Sequence, residues 1–238
     1  MNELVLIVFQ VMILIMSVVI HEVSHGMAAL WLGDPTAKYA GRLTLNPLRH
    51  LEIWGSLVVP ILMITFFHMG FGWAKPVPYN PYNLRDQKYG PALVGVAGPL
   101  SNILIAIVFG IAARLIYFPN SMVKVEIISN FFSAVSGGGY TELAQNIYGS
   151  FAAIFFLLFT MIGVVNVFLA FFNLIPIPPL DGSKLLFSLL PINTEMKIML
   201  EQFGFMFLLI ILLFYSRPLG IFLTFMLNLY FHYILGIG

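Results

Sequence analysis

Ile20-His21-Glu22-Val23-Ser24-His25-Gly26-Met27-Ala28 lies inside an otherwise apolar run that covers residues 4–32. In a helix, positions four apart stand about one turn apart on the same face, so both imidazoles can reach one metal ion. Glu22 then stands beside them, placed to act on water at that ion. Each of these three side chains is costly in a lipid-facing helix unless it has a partner or a task. The alternative is a chance motif whose histidines are ordinary packed core residues.

Composition decides the setting. Of 238 residues, 60% are hydrophobic and 9% charged, against roughly 25% charged in soluble domains. The mean hydropathy is +0.97. The chain is expected to be an all-α polytopic membrane protein lying in a lipid bilayer. A net charge of +1 without basic tracts argues against a nucleic-acid partner. The cysteine count is zero, which removes disulfides, thiolate metal sites and a thiol nucleophile together. The opening Met1-Asn2-Glu3 carries no basic region or cleavage site, so residues 4–32 read as a retained first span.

Further along, Gly33-Asp34-Pro35 and Asn46-Pro47 punctuate residues 33–52, and residues 39–45 alternate enough to suggest a short strand. Residues 53–72 are apolar. Residues 73–90, with Pro76, Pro78 and Pro81, are expected to be extended. Residues 91–118 and 149–173 read as spans and 119–148, with Gly137-Gly138-Gly139, as a polar interlude. Residues 203–215 and 219–236 are apolar and parted by Arg217-Pro218. Thirteen residues are short for a span of about 20, so this pair is expected to be a kinked or re-entrant hairpin. The division expected is a core over 1–190, including the strand and re-entrant region of 33–90, followed by membrane helices over 191–238.

Basic residues orient the chain. Lys38, Arg42, Arg49, Lys75, Arg85, Lys88, Lys184 and Lys197 flank the histidine motif and the Asp181 region, whereas 119–148 holds only Lys124. The positive-inside rule places the first group in the cytoplasm. Residues 53–90 then return to the side they started from, as a helix plus a sheltered extended segment or as a re-entrant element.

A hydrolytic zinc site keeps three protein ligands and an open position. His50, His68 and His232 are the remaining histidines. Asp181 stands out because it follows the break Pro176-Ile177-Pro178-Pro179 and precedes a glycine. It reads either as a ligand or as the N-cap of a short helix over 183–190. Asn166 and Asn173, seven apart, share a helix face. They read as interhelical hydrogen-bonding groups or as support for a ligand or substrate.

His21-Glu22-Val23-Ser24-His25-Gly26 together with Asn173-Leu174-Ile175-Pro176-Ile177-Pro178-Pro179-Leu180-Asp181-Gly182 resembles the paired signature of the site-2 protease family of intramembrane zinc metalloproteases. Gly98-Pro99-Leu100-Ser101-Asn102 resembles that family's third motif. Gly41-Arg42-Leu43-Thr44-Leu45-Asn46-Pro47 and Gly72-Trp73-Ala74-Lys75-Pro76-Val77-Pro78 resemble its short bacterial and archaeal branch, which lacks a PDZ domain. The resemblance covers about residues 15–190. It implies a three-helix catalytic core made of the first span, 91–118 and 149–173. It also implies one Zn²⁺ per chain on His21, His25 and Asp181, Glu22 as general base and then acid, and Asn102 steadying the oxyanion or the substrate backbone. The substrate implied is a transmembrane or membrane-proximal peptide, cut toward the cytoplasmic side of a prokaryotic plasma membrane. The resemblance leaves the oligomeric state open. The 39–45 strand and residues 71–78 read either as an edge for an extended substrate or as plain packing.

Two rivals need no base beside the ligands: a non-catalytic membrane protein with a structural zinc site, and a metal or solute transporter. Glu22 favours the enzyme. Serine chemistry is disfavoured because Ala134-Val135-Ser136-Gly137 lacks a first glycine and because Ser183 and Lys184 are chain neighbours.

Overall fold

In a computed structural model, the described residues are 3–237 apart from 54, 56, 57, 60–64, 66–71, 73, 137–139 and 191. They are helical with no strand among them. The expected crossing or re-entrant element of 53–72, with His68, lies largely outside the described residues.

The first helix, α1, spans Glu3–Trp31. It ends where Gly33 takes φ +110°, with Gly33 N–H donating to Leu30 O (3.1 Å) and Asp34 N–H to Ala29 O (2.8 Å). That pair of bonds is a Schellman motif, which glycine supports because it lacks a Cβ. Helix α2, Thr36–Tyr39, ends in the same way, with Gly41 at φ +64°, Gly41 N–H on Lys38 O and Arg42 N–H on Ala37 O. This corrects the strand expected over 39–45: those residues are taken up by a helix cap, not by a pleat. Asn46 and Asn80 each cap a 3₁₀ turn that opens on proline, Pro47–Arg49 and Pro81–Asn83. Residues 74–80 between the turns are extended, as their prolines require.

Helix α3 spans Gly90–Leu115 and holds Pro99 inside it. The stretch 119–148 is not a plain interlude. It contains α4, Met122–Val135, and α5, Tyr140–Ile147. Helix α6 spans Phe151–Asn173. A loop with a cis Pro178-Pro179 bond leads to α7, Gly182–Leu189. Helix α8, Thr194–Phe214, starts nine residues before the apolar run at 203, because Glu195, Lys197 and Glu201 are good helix formers. It is therefore a full-length helix and not the short arm expected. Helix α9, Ser216–Leu229, carries Pro218 in its first turn and runs into a π-helical turn, Tyr230–Leu235.

Among the described residues, five segments are long and apolar enough to cross a membrane: Leu4–Trp31, Gly90–Leu115, Phe151–Asn173, Glu195–Phe214 and Ser216–Leu235. The two shortest have 20 residues, or about 30 Å of helix, the thickness of a hydrocarbon core. The chain is a multi-pass membrane protein.

Two compact units make up the chain. One holds Met1–Leu14, Asn102–Phe172 and Tyr215–Gly238. Its core gathers Ile127 and Phe131 of α4, Leu143 and Ile147 of α5, Phe156 and Met161 of α6, and Tyr230. Small residues set how closely its helices approach: a Cβ on Gly110 would lie 2.7 Å from the Tyr230 hydroxyl, and one on Gly163 would overlap it. The other unit holds Ile15–Ser101 and Asn173–Phe214. It has a small apolar cluster of Ala29, Leu84 and Val94, and it contains the histidine motif.

Candidate metal centre

Among the described residues, His21, His25 and Asp181 form the one group whose ligand atoms converge, all within 4.8 Å of one another. All three are buried. His21 Nε2 and His25 Nε2 each lie 3.0 Å from Asp181 Oδ2 and 3.1 Å from each other. Ligands arranged tetrahedrally about 2.0–2.1 Å from one ion stand roughly 3.3 Å apart, so this triangle fits a single cation.

Protonation supports that fit. His25 Nδ1–H donates to Val94 O at 2.6 Å. In a neutral ring this leaves Nε2 as a bare lone pair. A lone pair facing both a carboxylate oxygen and a second imidazole nitrogen calls for a shared proton or a metal cation between them. The same bond fixes the tautomer that leaves Nε2 able to bind a metal.

The backbone makes room for the two rings. A Cβ on Gly98 of α3 would fall on His25 Nε2, 2.5 Å from its Cε1 and 2.7 Å from His21 Cε1. Val94 and Gly98 are one turn apart on α3, so one face of that helix both orients His25 and admits both imidazoles. On α1, a Cβ on Gly26 would lie 2.6 Å from Leu43 Cδ2 and 2.9 Å from Val77 Cγ1. The extended segment 74–80 thus packs on the motif.

Asp181 stands at the N-cap of α7 but makes no side-chain cap bond. Its Oδ2 faces the histidines, and its Oδ1 accepts from Lys184 Nζ at 2.8 Å. Burial lowers Lys184, but the charge and hydrogen bond of Asp181, together with Tyr79 and Glu22, outweigh it, so its pKa is raised overall. Gly182 is required here because a Cβ would strike the Leu174 carbonyl.

Glu22 is half-buried, and its Oε2 accepts from Val77 N–H at 2.8 Å. Segment 74–80 is fastened on both sides of that contact. Lys75 N–H donates to His50 O (2.9 Å), Arg42 Nη2 to Lys75 O (2.7 Å) and Asn80 N–H to Asp34 Oδ2 (2.6 Å). Asp34 is fully buried and also accepts from Thr36 and Asn83. Val94, Gly98, Val77, Lys184 and Asp34 were not singled out for these roles by sequence. The Asp181–Lys184 spacing of three was a readable signal; the backbone donors to Glu22 left none.

Asn102 and Asn166 are fully buried in the other unit, where Asn102 Nδ2 donates to Asn166 Oδ1 at 2.6 Å and Asn166 Nδ2 to Ile162 O at 2.8 Å. Asn173 ends α6 and is partly buried. His50 is buried, with its Nε2–H on Thr44 O at 2.9 Å. His232 packs edge-on against Tyr233.

Residues 9–211 match the description of peptidase family M50. The chain is 31% identical over 213 residues to YwhC of Bacillus subtilis (strain 168), a match covering 89% of this chain and 82% of that protein. It is 26% identical to Rip2 of Mycolicibacterium smegmatis and 28% identical to Rip2 of Mycobacterium tuberculosis (strain H37Rv), each match covering 84% of this chain and 64% of the relative. All three relatives are named as candidate zinc metalloproteases. No solved structure matches the chain.

Proposed function

The chain belongs to peptidase family M50 and is a metalloprotease, and we propose that it hydrolyses peptide bonds in or beside transmembrane segments, with one zinc ion per chain held by His21, His25 and Asp181. The observation that carries this reading is the 3.0–3.1 Å triangle of ligand atoms, closed while His25 Nδ1 is committed to Val94. When bound, zinc supplies Lewis acidity, lowering the pKa of a water toward about 7 and drawing charge from a scissile carbonyl.

The remaining chemistry falls to side chains. Glu22 takes the proton of the attacking water and later gives it to the leaving amine. The Val77 N–H holds Oε2, so the proton exchanges at Oε1 and the carboxylate keeps its aim. The Val94 carbonyl keeps His25 in its ligating tautomer, and Lys184 leaves Asp181 one oxygen, Oδ2, to face the histidines. Asn102 is proposed, from the family motif alone, to steady the substrate or its oxyanion.

The membrane setting supports peptide segments of the bilayer as substrates. Basic residues flanking the motif support an orientation with the site toward the cytoplasm. Glu22→Gln protein purified from membranes is expected to carry wild-type zinc and to trap uncleaved membrane peptides, which added wild-type enzyme then cuts. Cleavage of those peptides by Glu22→Gln at the wild-type rate would refute the role given to Glu22.

A further inference from the structure

Apart from the metal centre, the same unit has a cavity of about 450 Å³ whose lining includes Arg42, Arg49, Lys75, Leu48, Leu51 and Pro78. Three cations meet there, and no carboxylate is among its lining residues. Like charges around one cavity repel unless an anion lies between them. Arg42 is the built part: it is 7% exposed, one Nη2–H donates to Lys75 O, and its buried Nε has no acceptor. A guanidinium fork of this kind matches phosphate oxygens.

The rim states where the anion comes from. Leu48 and Leu51 of the lining are 74% and 44% exposed. This stretch follows a helix, ending at Trp31, that is long and apolar enough to cross a membrane. Trp31 and Tyr39, which precede it, are exposed aromatic residues of the kind found at a bilayer surface. A soluble anion makes no use of exposed leucines, whereas a lipid does: its acyl chains cover them while its headgroup reaches the cations.

We propose that this pocket binds the phosphate of an anionic membrane phospholipid, with Arg42, Arg49 and Lys75 as its ligands. The proposal is independent of the protease reading. Lys75 also links the pocket to the strap that holds Glu22, through backbone bonds that a side-chain substitution leaves in place.

The test uses the full chain, zinc-loaded and delipidated in detergent. It is titrated separately with short-chain phosphatidylglycerol, phosphatidylcholine of equal chain length and inorganic phosphate, and bound species are counted by native mass spectrometry. One saturable phosphatidylglycerol is expected, with weaker phosphatidylcholine binding and no competition from equimolar phosphate. The Arg49→Ala/Lys75→Ala protein, which changes only exposed side chains, is expected to bind phosphatidylglycerol about twentyfold to thirtyfold more weakly at unchanged zinc content. Arg42→Gln is expected to weaken it further. Equal binding by the double variant, equal binding of both lipids, or displacement by equimolar phosphate would each overturn the proposal.

Discussion

Gly98→Ala tests the geometry of the metal centre without touching a ligand. The new methyl would sit 2.5 Å from His25 Cε1 and 2.7 Å from His21 Cε1, where ordinary contact begins at 3.4 Å. Both rings must therefore retreat, His25 by about 0.9 Å. His25 resists because its Nδ1 is tied to Val94, one turn away on the same helix as the methyl. Overpacking of this kind costs about 1–3 kcal/mol. If that cost falls on the bound state, zinc affinity drops roughly fivefold to 150-fold. The assay is zinc competition against a chromophoric chelator on detergent-purified protein, with Gly220→Ala as control, since a Cβ there meets nothing within 4 Å. Wild-type zinc affinity in Gly98→Ala would show that α3 does not lie against the imidazoles as described.

Lys184→Met removes the ammonium on Asp181 Oδ1; zinc affinity in the same competition assay is expected to fall about tenfold to a hundredfold. Asp34→Ala orphans the donors of Thr36, Asn80 and Asn83, and thermal unfolding in detergent should show a loss of about 3 kcal/mol. Burial pushes the Asp34 carboxyl up, but these hydrogen bonds outweigh it and lower its pKa in the fold. Its stabilisation is thus fully present above the unfolded carboxylate value of about 3.9 and is lost as the pH falls through the lower folded value. Asp34→Asn should remove that acid-dependent component from a pH series of unfolding curves. Tyr230→Phe deletes a buried hydroxyl without a partner and should leave stability unchanged or raise it by about 1 kcal/mol; Gly163→Ala, whose Cβ overlaps that hydroxyl, should destabilise and be partly rescued by Tyr230→Phe.

The spans α1, α3 and α6 were legible because lipid demands long apolar runs, and His21-Glu22-Val23-Ser24-His25 was legible because its spacing is local. Helices α4 and α5 were read as an interlude. Yet Ile127, Phe131 and Ala134 repeat at helical spacing and are buried; the triple glycine drew the reading toward a loop. The strand expected over 39–45 rested on alternation, which the Gly41 cap overrides. Asp181 stands 160 residues from His21, and nothing local joins them. Its position after the proline break read either as a ligand or as a plain N-cap, and the family motif decided for the metal. The Glu22 contact was illegible because its partner is a backbone N–H, and every non-proline residue has one.

Zinc stoichiometry and affinity of purified wild-type and Asp181→Ala protein test the central claim most directly. The account predicts one zinc per chain in the wild type, and in Asp181→Ala a loss of tight zinc while the histidines remain. An Asp181→Ala protein that still holds one zinc at wild-type affinity would contradict it.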